Sequence, residues 1–495
     1  MPDRTGRAPR GRALNALRRH WLIAALLVLA AALRVIVAIA YRPALIFPDS
    51  QRYLQYAERF AAGHWAPDSI RQSGYSILII PAAALHALIT IPVAQHLLGL
   101  AAGVTIYALL VHMGSRRWLA ALAAIPVLFD PLELDLEQYV LSDVCAALLV
   151  LAALVVLVWR GSRIGPVAAA VTGLLLAAAV VTRVADLALI VPVLLYLALA
   201  VRPWRRLAAR GAVLAGCFLL PVLGYAGWSA GANGTFVFSQ YNGTFLYGRV
   251  VDFADCSTLQ LPAYERPLCP HEPPGQRNYD AYMWSVYSPA WTLKPPAGQT
   301  RQSVLFDFST RVLEHQPGAY LSAVGTDLAY GFSPVRGNGP ERYPAAYLKF
   351  QTQLLPYAEV RPTLRQYGHT IPAIQPQLAR FLSGYSRFCY VPGPVLAAAV
   401  VLALAGLAWP SARRSRGRGL RTANVAFTGS AVTALVAAAA FAPFDWRYQL
   451  PQLTLIPVAA VLGGTALTIR ASMPSAPVGD PGQAAPALGQ ARGPH

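Results

Sequence analysis

Apolar positions fall in long runs broken by short basic or polar stretches, the pattern of a chain that crosses a bilayer many times. The runs are roughly Trp21–Ala40, Tyr75–Ile91, Val93–His112, Trp118–Phe129, Leu141–Trp159, Ile164–Val181, Leu187–Val201, Gly211–Trp228, Val391–Trp409, Thr422–Phe441 and Leu453–Ile469. Short cytoplasmic loops collect arginine and lysine, so loop charge decides which runs cross. If Tyr75–Ile91 lies along the outer interface, as Pro81, His86 and Pro92 allow, every Arg-rich loop falls on one side. That parse gives ten spans with both termini inside. Its weak point is Trp118–Phe129, which is short against the roughly 20 residues a crossing needs.

Composition agrees, with 56% hydrophobic and 13% charged residues in 495 and a mean hydropathy of +0.43. The net charge is +19. The cytoplasmic segments of the ten-span parse hold 21 arginines and two acids, Asp3 and Asp480, and so account for all of it. A basic balance of this kind reflects orientation and contact with anionic lipid, which removes the main reason to expect a nucleic-acid partner. Residues 1–20 read as a basic cytoplasmic N-terminus, 21–228 as a transmembrane core with a first outer loop at 41–92, 229–390 as an extracytoplasmic domain, 391–470 as C-terminal spans and 471–495 as a disordered tail rich in Pro, Gly and Ala. Arg4–Arg19 followed by an apolar run and Ala38-Ile39-Ala40 mimics a cleavable signal, but the run is long and more spans follow.

In the outer interval, the alternating stretch Thr235–Tyr247 predicts strands or a hairpin, whereas Gln302–His315 and Ala319–Tyr330 predict helices. The expectation is a mixed α/β domain on a mainly α, polytopic helical bundle. Cys256 and Cys269 are the only cysteines well inside the interval, and an oxidising exterior lets them pair.

Candidate chemistry gathers at the outer ends of the runs. Asp49, Arg52, Tyr53 and Tyr56 stand at i, i+3, i+4 and i+7, one face of a helix whose other face carries Leu54, Ala57 and Ala61. Asp49 after Pro48 also fits a helix cap. Asp130, Glu133, Asp135, Glu137 and Asp143 put five of the 22 acids into fourteen residues. Glu133, Asp135 and Glu137 alternate as a solvated loop face would, and Ser142-Asp143 opens the next run as a helix start would. Two separated acids facing one side of a pocket fit a general base or part of a metal site, so Asp49 and Asp143 are the catalytic candidates and the only candidate ligands for a divalent metal ion. Arg183 can fork onto a phosphate or pair with Asp186, and Arg447 lies among aromatics before the last run. With these, Arg52, Tyr53, Glu137 and Tyr448 complete the candidate substrate-binding residues. Arg34 lies inside the first run and needs a protein or water partner there.

These residues carry a resemblance. Pro48-Asp49-x-x-Arg52-Tyr53 after the first run resembles the first-loop motif of GT-C glycosyltransferases, among them lipid A aminoarabinose transferases and protein O-mannosyltransferases. Gly74-Tyr75, Tyr139-Val140-Leu141-Ser142-Asp143, Val181-Thr182-Arg183 and Arg447-Tyr448-x-Leu450-Pro451 extend the likeness over most of residues 20–230 and the last runs. Ser50 stands where many relatives have a second acid, and the large outer interval is unlike the aminoarabinose enzymes. The resemblance implies a GT-C bundle in the cell membrane with an extracytoplasmic site. It also implies a polyprenyl-phosphate sugar donor and a glycan, lipid or protein acceptor, with Asp49 as base, Asp143 as an aligning acid and Arg183 and Arg447 on the donor phosphate. The alternative reading is a lipid or sugar transporter or flippase.

Overall fold

The computed structural model describes residues 18–337, 349–353, 361–367, 372–409 and 415–468. The tail after Ala471, most of the basic N-terminus and Arg413-Arg414 lie outside the described residues.

The first run forms helix α1 (Trp21–Ala40), which leads through the two-residue strand β1 (Tyr41–Arg42) into α2 (Pro48–Ala61). Residues 75–91 form no continuous helix. They make two five-residue helices, Gly74–Leu78 and Ile80–Ala84, followed by a turn in which His86 takes a positive φ of 49°. The bundle continues through α3 (Thr90–His112), α4 (Arg117–Phe129), the short α5 (Pro131–Gln138), α6 (Asp143–Trp159), α7 (Pro166–Thr182), α8 (Ile190–Ala200) and α9 (Trp204–Asn233).

The interval 229–390 supplies α10 (Asn242–Val251), α11 (Tyr279–Trp284), α12 (Arg301–His315), α13 (Pro317–Tyr330) and α14 (Pro376–Phe388). Then α15 (Gly393–Ala408), α16 (Ser415–Phe441) and α17 (Leu450–Leu467) return to the bundle.

Among the described residues, five helices are long and apolar enough to cross a membrane, a sixth crossing is possible if the pair α14 and α15, bent by 48°, is one span, and four apolar helices are shorter. The chain is a multi-pass membrane protein, and a count of ten needs all four shorter helices to cross. The 13-residue α4 is about 20 Å long at 1.5 Å per residue, short of a hydrocarbon core of about 30 Å. Where α15 crosses α17, a Cβ on Gly406 would sit 2.3 Å from Gly463 Cα, so only glycine permits that approach.

Among the described residues the interval 229–390 is mainly helical, with a single two-residue strand at Ala373–Ile374, so the structure does not confirm the mixed α/β expectation. Thr235–Tyr247 holds no strand. Gly234, at φ 83°, ends α9, and Asn242 already opens α10. Its alternating aromatics pack individually instead, Phe238 stacked on Tyr225 at 5.7 Å and Tyr241 on Trp284 at 6.4 Å. A strand needs a neighbour for its backbone groups; a helix satisfies its own. The one strand pair among the described residues is β1 with β2 (Ala373–Ile374), Tyr41 opposite Ile374 and Arg42 opposite Ala373, which ties the outer interval to the end of α1. Tyr247, Leu268, Val304, Leu305, Phe308 and Val312 form a core separate from the bundle's, and Cys256 is disulfide-bonded to Cys269 beside it.

Candidate active site

The site starts from α2. Phe47 is its N-cap residue, and the Phe47 N–H donates to Ser50 Oγ at 2.9 Å while that hydroxyl donates to the Val140 carbonyl at 2.8 Å. Ser50 therefore ties the start of α2 to the segment leading into α6, leaving Asp49 free of capping work. Both Asp49 oxygens go to cations instead. Arg71 Nη2 donates to Oδ1 at 2.6 Å and Arg447 Nη1 to Oδ2 at 3.2 Å. Burial alone would raise the Asp49 pKa, but Arg71 and then Arg447 outweigh it and hold the carboxyl below its ordinary value.

Asp143 stands in the first turn of α6, one residue after the N-cap Ser142, and pairs with Arg183 at 3.0 Å. Arg183 thus reaches across to α6 rather than to its near neighbour Asp186. Tyr448 joins the two groups, because the Arg183 guanidinium lies over its ring at 5.2 Å and that of Arg447 at 5.6 Å. Tyr53 lies beneath, its hydroxyl 3.2 Å from Ser142 Oγ and its ring edge-on to Tyr75 at 4.9 Å. A narrow apolar slot lined by Ala146, Ala147, Val150, Leu189 and Leu455 opens beside Arg183 and Asp186.

Sequence reasoning missed three members. Arg71 comes from a polar loop with no pattern to mark it, and its guanidinium also lies over Phe245 at 5.5 Å and Trp284 at 5.9 Å, so it links Asp49 to α10 and α11. Asp445, two residues before Arg447, pairs with Arg447 Nε at 2.7 Å. Asp280 lies on α11, one helical turn before Trp284, within electrostatic reach of Asp49, Arg447, Asp445 and Arg71. It is exposed at the rim with protein crowded around its carboxyl, and that burial, then the Asp49 charge, push its pKa above the ordinary value.

Two candidates do not join the group. Arg52 Nε donates to Asp68 at 2.8 and 3.0 Å, and its Nη2 bonds the same carboxylate. Glu137 is fully buried, bound by Arg34 Nη2 at 2.6 Å and His96 Nδ1 at 2.7 Å. Its stretch is no solvated loop, since Pro131 to Gln138 form α5 and are buried all round. Burial pushes the Glu133 and Asp135 carboxyls well above the ordinary range, and among the described residues neither Asp135 oxygen has a hydrogen-bond partner. Arg34, the costly cation of α1, is held through its Nη atoms by Glu137 and by the Leu128 and Val127 carbonyls at 2.9 and 3.1 Å.

The donor set does not fit a divalent cation. Each of Asp49 and Asp143 already faces a guanidinium, and among the described residues no three His, Cys, Asp or Glu side chains converge. The arrangement can instead hold an anion between Arg183 and Arg447 and a hydroxyl against Asp49.

Residues 92–229 match the family described as dolichyl-phosphate-mannose-protein mannosyltransferase, a group that the resemblance drawn from the sequence includes. No curated protein matches the chain by sequence. Solved structures that match include the S. cerevisiae protein O-mannosyltransferase Pmt1-Pmt2 complex bound to the sugar donor, at 16% identity and a TM-score of 0.34 over 50% of this chain and 37% of that one. A second is the archaeal oligosaccharyltransferase AglB from Archaeoglobus fulgidus with an inhibitory peptide and a dolichol-phosphate, at 14% identity and 0.40 over 90% and 50%. A third is ArnT from Cupriavidus metallidurans bound to undecaprenyl phosphate, at 16% identity and 0.35 over 89% and 77%. The chain thus spans about a third to a half of the length of the first two.

Proposed function

We propose that this protein is a membrane glycosyltransferase that takes a sugar from a polyprenyl-phosphate donor and passes it to an acceptor hydroxyl on the extracytoplasmic face of the cell membrane, in envelope glycan or glycoconjugate assembly. The observation that carries the reading is the meeting of two carboxylate–arginine groups around Tyr448, one of them beside an apolar slot. A lipid phosphate needs that combination of cations at the head and hydrocarbon lining below. The family match supports it, since residues 92–229 include both Asp143 and Arg183 and the matched family is named for a dolichyl-phosphate-linked sugar.

In this reading Arg183, oriented by Asp143, receives the donor phosphate, with apolar side chains of α6 and α17 beside it and Arg447 one ring away. The acceptor oxygen bonds to the anomeric carbon from the face opposite the phosphate. The bond from that carbon to the phosphate oxygen breaks with its electron pair on the phosphate, whose charge the guanidiniums hold, so no general acid is required. Asp49 orients the acceptor hydroxyl and takes its proton, which requires the acceptor to share an oxygen now held by Arg71 or Arg447. One base and one displacement invert the anomeric centre, unlike the paired carboxylates of retaining hydrolysis. A transporter is disfavoured because the charged side chains stand at helix ends, whereas transporter sites lie near the bilayer midplane.

The test is reconstituted protein given a polyprenyl-phosphate sugar and a cell-envelope extract, followed by mass spectrometry. The reading expects donor consumption with a new glycosidic linkage, and weaker donor binding in Arg183→Ala. Movement of intact donor across the vesicle without consumption would support the transporter instead.

A further inference from the structure

The opposite end of the bundle holds a second cavity with different chemistry. Helices α1 and α4 each run from this end toward the site, α1 leading on to Asp49 and α4 to Asp130. Between their starts is an open cavity of about 730 Å³ lined by Arg18, Arg19, Arg116 and Arg117, with Trp21 and Trp118 beside them. The two tryptophans are 64% and 50% exposed, apolar surface set next to concentrated charge. The His20 ring, 2.6 Å from the Tyr107 hydroxyl, links the start of α1 to α3 within the lining. Among the described residues no acid lines the cavity and none of the four guanidiniums pairs with a carboxylate.

The contrast with the site is physical. There every arginine named has a carboxylate; here four cations from two separate segments converge with none, and like charges so placed repel. A polyanion between them turns that repulsion into attraction, and tryptophans at the mouth favour the headgroup layer of a bilayer over bulk water. We propose that this cavity binds the phosphate headgroup of an anionic membrane phospholipid, preferring one that carries two phosphates. The segments it joins, the residues before α1 and the turn between α3 and α4, would then be held together by lipid as well as by protein contacts. The proposal does not depend on the glycosyltransferase reading.

The test uses the full chain in nanodiscs of phosphatidylcholine doped with cardiolipin, with bound lipid counted by native mass spectrometry. Cardiolipin should be retained in preference to phosphatidylcholine, and Arg116→Gln with Arg117→Gln should weaken it by about fivefold per arginine, the effect of one basic residue near an anionic headgroup. Equal retention of the two lipids, or a preference unchanged in the double variant, would overturn the proposal. Displacement of cardiolipin by millimolar inorganic phosphate would overturn it in favour of a soluble anion. If the double variant is not recovered folded, Arg116→Gln and Arg116→Lys decide: loss in the first with retention in the second supports the site, and equal values refute it.

Discussion

Glu137 and Asp143 lie six residues apart, both paired with arginine, yet their surroundings differ. The Arg34–Glu137–His96 cluster is closed, with side-chain exposures of 3%, 0% and 7% and both Glu137 oxygens bound. The group around Asp49 is looser. Arg71 keeps 22% exposure, Arg183 and Arg447 16% each, and the group borders both an apolar slot and helices α10 and α11. What separates the two ion-paired groups here is what lies next to each.

The largest effect expected is on the closed cluster. Glu137→Ala leaves Arg34 unpaired inside the bundle and should cost about 3–5 kcal/mol, seen as a large fall in thermal unfolding temperature in detergent. Gly99→Ala should act in the same direction, because its Cβ would lie 1.7 Å from Glu137 Oε1. A Glu137→Ala protein as stable as the parent would break the comparison.

At the open group the expected effect is on titration. Arg71 lowers the Asp49 pKa, so removing it lets that pKa rise, and the base is then protonated, and activity lost, at a higher pH. Arg71→Gln should move the acid limb of the pH–rate profile upward by about 1–3 units, the usual effect of one close opposite charge. A limb that stays put, or moves down, would separate Asp49 from the rate.

The smallest effect belongs to Asp280. If it meets the acceptor from the outer domain, Asp280→Asn removes one hydrogen bond of roughly 0.5–1.5 kcal/mol, a few-fold rise in acceptor KM with donor KM unchanged. A change confined to donor KM would assign it to the other substrate.

Much of this was legible in the sequence because charged residues at the ends of apolar runs stand out. Asp49, Asp143, Arg183, Arg447 and Tyr448 were found that way, and they meet. Arg52 and Glu137 have the same local signature but partners elsewhere, Asp68 for one and Arg34 for the other, and no spacing rule ranks those pairings. Arg71 was missed because its role depends on a contact 22 residues back with Asp49 and on aromatics of the outer domain. The link from Arg447 to Asp49 spans 398 residues, so only the fold brings that pair together. In the outer interval, alternation of aromatics looked like a strand because periodicity records where side chains are apolar, not whether a neighbouring strand exists.

The most direct measurement is single-turnover sugar transfer from a labelled polyprenyl-phosphate donor by reconstituted Asp49→Asn protein, with donor binding and thermal unfolding recorded on the same sample. The account predicts parent-like donor binding and fold, with transfer slowed by about 10²–10⁴, the contribution of a positioned general base. Transfer at the parent rate by folded, donor-bound Asp49→Asn protein would contradict it.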